Sequence, residues 1–276
     1  IVDNVLVRVG DPTFLGYFIE KGVSSVAKVV RKAYPQENVG VFVERGRGGP
    51  LSVVEYSEMD VAMTTEINQS TGRLRVCWSN IFLHTFSLEF LNQVANNLEK
   101  DSVYHLAQKT IPSFHGYTTG LKLERFIFDA FKYSPSTTLF EVLREEEFAP
   151  VKNANGSAYD TPHSAKLMLL RLHNRWVVAA GCFRTHSVLL YMTCVEVSPL
   201  SYYTRENLEA ICRGQTFHAR IVLHVNPAQS KLRQRSRPAR RVVTRTDEQA
   251  DPHPHPHAHS RASQHKLDYV SVELEE

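Results

Sequence analysis

The chain is poor in cysteine, in long apolar runs and in net charge, and each shortage excludes a class of protein. Its 4 cysteines, Cys77, Cys182, Cys194 and Cys212, show no CxxC spacing and no pairing with nearby histidines, so neither a zinc site nor a redox motif is written here. A reducing compartment, the cytoplasm, is expected. No stretch reaches the ~18 consecutive apolar residues of a membrane helix, and the chain opens on Ile1-Val2-Asp3 rather than on a methionine and a basic segment. Neither a membrane span nor a signal peptide is therefore expected. With 32 Lys and Arg against 29 Asp and Glu, a net charge of +3, the surface as a whole is too weakly basic to attract nucleic acid or anionic lipid. Any such binding has to be local.

What is present is an ordinary globular composition of 42% hydrophobic, 22% charged and 10% aromatic residues over 276 positions, or roughly 1.8 domains at ~150 residues each. Val2 to Val9 is a β-branched run halted by Gly10-Asp11-Pro12 and reads as a strand. A strand without its pairing partners is an aggregation liability, so residues upstream of Ile1 are expected to complete the sheet. Residues 13–34 carry Phe14, Leu15, Phe18, Ile19, Val26, Val29 and Val30 at helical steps, with Gly22 able to split the segment. Two apolar runs, 39–43 and 51–56, flank a Gly- and Pro-rich turn and predict a hairpin. A helix is expected over 58–68 and a strand over 76–82. Ser87 is placed to cap a helix striped by Phe90, Leu91, Val94 and Leu98. Beyond a further apolar stretch at 104–111, the spacing predicts a helix over 121–131, a strand over 138–142, an acidic loop over 144–148 and a helix over 164–175. Strands alternating with helices imply an α/β sheet that is at least partly parallel. Short elements at 195–198, 207–211 and 217–225 form a small C-terminal unit.

Past Asn226 the composition breaks. Residues 231–246 hold seven Lys or Arg and no acid, 252–257 alternate Pro and His ahead of Ala258-His259, and 267–276 are acidic. Such a segment buries too little apolar area to offset its ordering entropy, so 227–276 reads as a disordered tail behind units at 1–180 and 181–226.

Several polar residues stand where chemistry could use them. Asp3, at the edge of the first apolar run, either caps a strand end or sits at the ligand-facing end of the sheet, where a carboxylate binds Mg²⁺ or a hydroxyl. Gly40, between two valines, either marks a bulge or permits a close approach to the backbone. Glu55 and Tyr56 offer an acid and a phenol suited to sugar hydroxyls, or simply an exposed hairpin end, and Asn80 is the same kind of case. Lys122 and Lys152 lie beside Gly120 and Asn153-Ala154-Asn155-Gly156; each is a surface lysine or a point charge for phosphate. Phe126 and Phe128, two apart, share a face if extended and otherwise pack separately in the core.

The run Leu143-Arg144-Glu145-Glu146-Glu147-Phe148-Ala149-Pro150-Val151-Lys152-Asn153 resembles the "LRE-x-EF-x-P-x-KN" segment of the UDP-N-acetylhexosamine pyrophosphorylases. In order with it, Val2-Asp3-Asn4-Val5-Leu6-Val7 is similar to that family's "VDN-x-LV" and Val53-Val54-Glu55-Tyr56-Ser57-Glu58 to its "VVEYSE". Gly120 to Asp129 is similar to "G-x-K-x-E-x-F-x-FD", and Glu196 to Leu200 with Phe217-His218-Ala219 to its C-terminal unit. The resemblance implies a Rossmann-like, GT-A-like nucleotidyltransferase fold: a mixed sheet with flanking helices, incomplete at its N-terminus, plus a small C-terminal α+β unit. It implies an enzyme joining UTP to N-acetylglucosamine 1-phosphate or N-acetylgalactosamine 1-phosphate with Mg²⁺, and it admits a homodimer. By the same resemblance Asp3 is the carboxylate near the UTP phosphates and the metal, Lys122 contacts the nucleotide phosphates and Lys152 holds the sugar phosphate. Gly40, Glu55, Tyr56 and Asn80 line the sugar pocket, and Phe126 and Phe128 form the wall beside the N-acetyl group.

Three departures qualify the pattern. The family's "GGxGTRLG" loop is absent, Ser79-Asn80-Ile81 stands for Gly-Asn-Ile, and the connection from Gly181 to Val195 is shorter and more apolar than the family's. The stretch is accordingly expected not to turn over alone. The alternatives are a non-catalytic homologue, or a partner or nucleic-acid binder acting through Lys231 to Arg245; Ni²⁺ or Zn²⁺ binding by the Pro-His repeat is a third. No specific nucleic acid is expected.

Overall fold

A computed structural model describes residues 3–46, 48–101, 103–184, 195–199, 202–217, 220–225 and 269–274, and the chain divides into two compact units, Ile1–Pro150 and Val151–Glu276.

In the first unit, Asp11 accepts from the Thr13 N–H and Pro12 fills the first helical position, which starts α1 (Pro12–Lys21). Gly22, at φ 58°, ends it, its N–H bonding the Phe18 and Ile19 carbonyls. The predicted second half of this helix is instead a strand, β1 (Ser25–Arg31), buried along nearly its whole length. A strand covered on both faces reads as a continuous apolar run, and such a run mimics helical spacing.

The expected hairpin forms from β2 (Val41–Glu44) and β3 (Leu51–Val54). The helix foreseen over 58–68 shrinks to α2 (Val61–Thr65), followed by a small hairpin of β4 (Ile67–Asn68) and β5 (Arg73–Leu74). Then come β6 (Trp78–Phe86) and α3 (Leu88–Lys100), the latter capped by Ser87 and burying Phe90 and Val94 as its stripe predicts. A long antiparallel hairpin, β7 (His105–Ser113) with β8 (Gly116–Glu124), replaces the start of the helix expected over 121–131. Tyr117, Leu121 and Leu123 recur at even spacing, which suits a strand, and only 127–133 turn helical, as a 3₁₀ segment. The unit closes with β9 (Thr137–Glu141) and a single turn, α4 (Arg144–Glu147), at the predicted acidic loop.

The sheet order is β3-β2-β6-β1-β9, with β1 antiparallel to β6 and parallel to β9. It is a mixed sheet flanked by helices. Ala27, Val29, Phe42, Val53, Phe128 and Phe131 pack one cluster against it; Val30, Val39, Ile81 and Phe148 form another. The strand foreseen at the start of the chain does not form over 3–9, where turns and one bridge, Asn4 to Pro150, stand instead. The Asn4 carboxamide accepts from the Leu6 and Ala149 N–H groups and donates to the Glu147 carbonyl, so it takes up backbone groups that a ladder would have used.

The second unit is built on α5 (Pro162–Ala179), which Thr161 and Ser164 start with a reciprocal capping box. It continues through β10 (Phe183–Arg184), β11 (Val195–Val197), α6 (Glu209–Cys212), β12 (Thr216–Phe217) and β13 (Arg220–Val225). Val177, Val195, Val197, Leu208, Cys212 and Leu223 form its core. Within the predicted tail, β14 (Tyr269–Leu274) pairs in parallel with β13. Its Tyr, Val and Leu content suits a strand. The basic run, the Pro-His repeat and the connection at 185–194 lie outside the described residues, as do His218 and Ala219. Among the described residues no helix is long and apolar enough to cross a membrane.

Candidate functional site

Five of the predicted site residues lie on one closed circuit of contacts in the first unit. Gly40 comes first: a Cβ at this position would stand 2.6 Å from Glu55 Oε1 and 3.2 Å from Val53 Cγ1. The glycine thus makes room for the buried Glu55 carboxylate. The Gly40 carbonyl accepts the Asn80 N–H at 2.8 Å, which joins the edge of β2 to β6.

Asn80 is buried, and its Oδ1 accepts from the Phe82 N–H at 3.0 Å and faces His84 Nε2 at 2.9 Å. Its Nδ2 meets no hydrogen-bond partner among the described residues. These bonds hold a bulge: Ala27 and Val29 on β1 face His84 and Asn80, so β6 carries extra residues, and Phe82 adopts φ 61°. A positive φ at a phenylalanine costs about 1–3 kcal/mol and persists only where the surroundings enforce it. Burial pushes the His84 pKa down to about 4, so the ring is neutral and its Nε2–H donates to Asn80.

The bulge presents the Phe82 ring to Phe128 at 5.7 Å and to Phe126 at 6.4 Å, and these two stack on each other at 4.6 Å and 15°. Phe126 meets the His105 ring at 5.1 Å. His105 Nδ1 lies 2.8 Å from Glu58 Oε1, and Glu58 closes the circuit on Glu55 through two backbone contacts, its N–H to the Glu55 carbonyl and its Oε2 to the Glu55 N–H. Tyr56, on the same turn, receives Lys109 Nζ at 3.3 Å on its hydroxyl.

The remaining candidates lie elsewhere. Lys122 is exposed on β8 and paired with Glu124 at 2.5 Å. Asp3 is exposed just ahead of the anchored Asn4. Lys152 belongs to the second unit, where its N–H donates to the Asp160 carbonyl at 2.8 Å. Sequence reasoning passed over His105, Glu58 and Asp129, although the last two end the motifs "VVEYSE" and "G-x-K-x-E-x-F-x-FD". It also passed over the buried Lys28, a lone charge in the run Val26-Ala27-Lys28-Val29-Val30.

The mixed sheet with helices on its flanks is that of a nucleotidyltransferase-type α/β protein. It aligns with the crystal structure of the UDP-N-acetylglucosamine pyrophosphorylase of Trypanosoma brucei at a TM-score of 0.63 and 34% identity, covering 76% of this chain and 44% of that one. The family model described as UTP--glucose-1-phosphate uridylyltransferase matches residues 1–209, and the chain belongs to that family. UDP-N-acetylglucosamine diphosphorylase 1 of Arabidopsis thaliana is 75% identical over 218 residues, which are 79% of this chain and 43% of that protein. The UDP-N-acetylhexosamine pyrophosphorylase-like protein 1 of Homo sapiens is 36% identical over 256 residues, with 85% and 50% covered. The chain therefore spans half or less of the length of these curated relatives.

Proposed function

We propose that the chain supplies the sugar-phosphate side of a uridylyltransferase that joins UTP to an N-acetylhexosamine 1-phosphate and releases pyrophosphate. The observation that carries this reading is the circuit from Glu55 through Gly40, Asn80 and the Phe126–Phe128 stack back to Glu55. It combines a carboxylate and an orphan amide donor, which suit sugar hydroxyls, with an apolar aromatic face, which suits an acetyl methyl. Relatives named for UDP-N-acetylglucosamine synthesis support the substrate class.

In the reaction, a phosphate oxygen of the sugar phosphate attacks the α-phosphorus of UTP in line, and the bond to the β-phosphate breaks. Positioning provides most of the rate. Lys122 and Lys152 are assigned to phosphates as point charges, and Tyr56 to a sugar hydroxyl. Asp3 is the assigned Mg²⁺ carboxylate. One exposed carboxylate fits that ion, which takes one or two protein carboxylates and draws its other ligands from water and substrate phosphates. Bound there, Mg²⁺ would offset charge on the transferring phosphate. The thiols of Cys77 and Cys212 are free, as a cytoplasmic location would have them.

Calorimetric titration of the 276-residue chain tests the reading. N-acetylglucosamine 1-phosphate is expected to bind at least about fivefold more tightly than glucose 1-phosphate, since one methyl group buried against aromatic rings is worth roughly 1 kcal/mol or more. Phe126→Ala should erase the preference. Equal affinity of the unaltered chain for the two sugars would overturn the assignment.

A further inference from the structure

His105, the first residue of β7, places Nδ1 2.8 Å from Glu58 Oε1 and Nε2 3.1 Å from Asp129 Oδ2. A neutral imidazole has one N–H, so both contacts are donating bonds only when both ring nitrogens carry protons. We propose that His105 is a positioning residue for the sugar-phosphate site: by bridging Glu58 and Asp129 it locks the Glu55–Tyr56 turn to the Phe126–Phe128 wall. This inference rests on the reading of the site given above. Glu58 is the link to the turn, holding both the N–H and the carbonyl of Glu55 at 3.3 and 2.9 Å. Asp129 is the link to the wall, its N–H donating to the Phe126 carbonyl at 3.2 Å. The imidazole itself packs on the Phe126 and Phe128 rings at 5.1 and 5.9 Å.

Burial opposes a charge on this ring, but the bonds and charges of Glu58 and Asp129 outweigh it and hold the pKa above the usual ~6.5. Arg45 and Lys132 line the same cavity, of about 220 Å³, and disfavour the charge; Glu124, opposite His105 on β8, favours it but is engaged by Lys122. The two direct contacts dominate. A pKa raised by folding means that the bridge is complete at low pH and is lost as pH rises through the folded value.

Two readouts on the 276-residue chain test the proposal. By NMR titration His105 should protonate above ~6.5, and Asp129→Asn should lower that value. By calorimetry His105→Gln should weaken N-acetylglucosamine 1-phosphate binding about tenfold or more, as misplacement of binding groups does. It should also abolish a pH step that the unaltered chain shows, after correction for titration of the ligand. His105→Lys, which keeps a cation between the carboxylates, should recover most of the affinity without the step. Should His105→Gln fail to fold, Asp129→Asn is expected to weaken binding in its place. Binding that His105→Gln leaves intact, or a His105 that titrates at or below ~6.5, overturns the assignment alone. An unaltered chain that binds no sugar phosphate while His105 titrates high overturns the site reading, and with it the role given to the bridge.

Discussion

Lys28 stands in the middle of a buried strand with its ammonium 2.5 Å from Asp11 Oδ2 and 2.5 Å from Glu147 Oε2, and Arg8 reaches the other Glu147 oxygen at 3.7 Å. Removing one partner of a buried pair leaves an uncompensated charge, so Lys28→Met should cost roughly 3–5 kcal/mol, read as a drop in Tm. Neutralising all three in Lys28→Met, Asp11→Asn, Glu147→Gln should return most of it. Burial works to raise the Asp11 pKa, but the hydrogen bond and charge of Lys28, with the Thr13 N–H and Arg8, hold it below the usual ~3.9. This contribution is present above ~3.9 and disappears as pH falls through the lower folded value. Gly40→Ala would push a methyl into the Glu55 carboxylate, and overpacking of this kind costs about 1–3 kcal/mol. It should also weaken sugar-phosphate binding, measured in the same titration as Phe126→Ala. The sequence singles out Glu55 within "VVEYSE", Gly40 between two valines and Asn80 in Ser79-Asn80-Ile81, all by local pattern. Lys28 and His105 were not legible, because their partners lie 17 and 119, and 47 and 24, residues away, and no local pattern encodes such distances.

The β7–β8 hairpin is the element most at odds with its own composition. Phe114 is 98% exposed and Tyr117 82%, with Leu121 and Leu123 also open, so the two strands have little apolar cover on either face. A lone two-stranded hairpin is marginal in water. Its amides between 107 and 122 should therefore exchange with solvent at least about a hundredfold faster than those of β1, whose side chains from Ser25 to Val30 are buried. Comparable protection in the two elements would mean that the hairpin is held by more than its own ladder. The same contrast explains which elements could be read in advance. Capping chemistry is local, so Ser87 announced α3, and the glycine-rich turn announced the β2–β3 pair. β1 was taken for a helix because the strands that flank it, β6 and β9, lie far off in sequence, and the end of β8 because its apolar residues continue into the 3₁₀ segment at spacings that also fit a helix.

The chain has 2 tryptophans, and one falls in each unit: Trp78 on β6, stacked by Arg31 at 4.3 Å, and Trp176 on α5, packed on the second unit's core. Each therefore reports its own unit if the other is replaced by Phe. Among the described residues, each unit also holds a neutral, desolvated histidine. His84 lies among the Phe82, Phe86 and Phe131 rings, and burial pushes it down to about 4. His173 accepts the Val197 N–H on Nδ1 at 3.1 Å, and burial, opposed by a backbone hydrogen bond at Val195, again leaves it at about 4. Between ~6.5 and about 4 the unfolded chain binds protons that these folded sites refuse, so stability falls with pH across that window by roughly 3 kcal/mol for each histidine. His105 acts in the opposite sense, favouring the folded first unit below its raised pKa. Relative to pH above the raised His105 value, the first unit should therefore lose less stability than the second on acidification to about 4. Replacing His173 with Gln, whose carbonyl can still accept from Val197, should lower the acid midpoint reported by Trp176 by about half a pH unit or more, as removal of a titrating group of that size requires. The Trp78 midpoint should stay in place, since each unit has its own core. Equal movement of both midpoints would show that the two units unfold as one cooperative body.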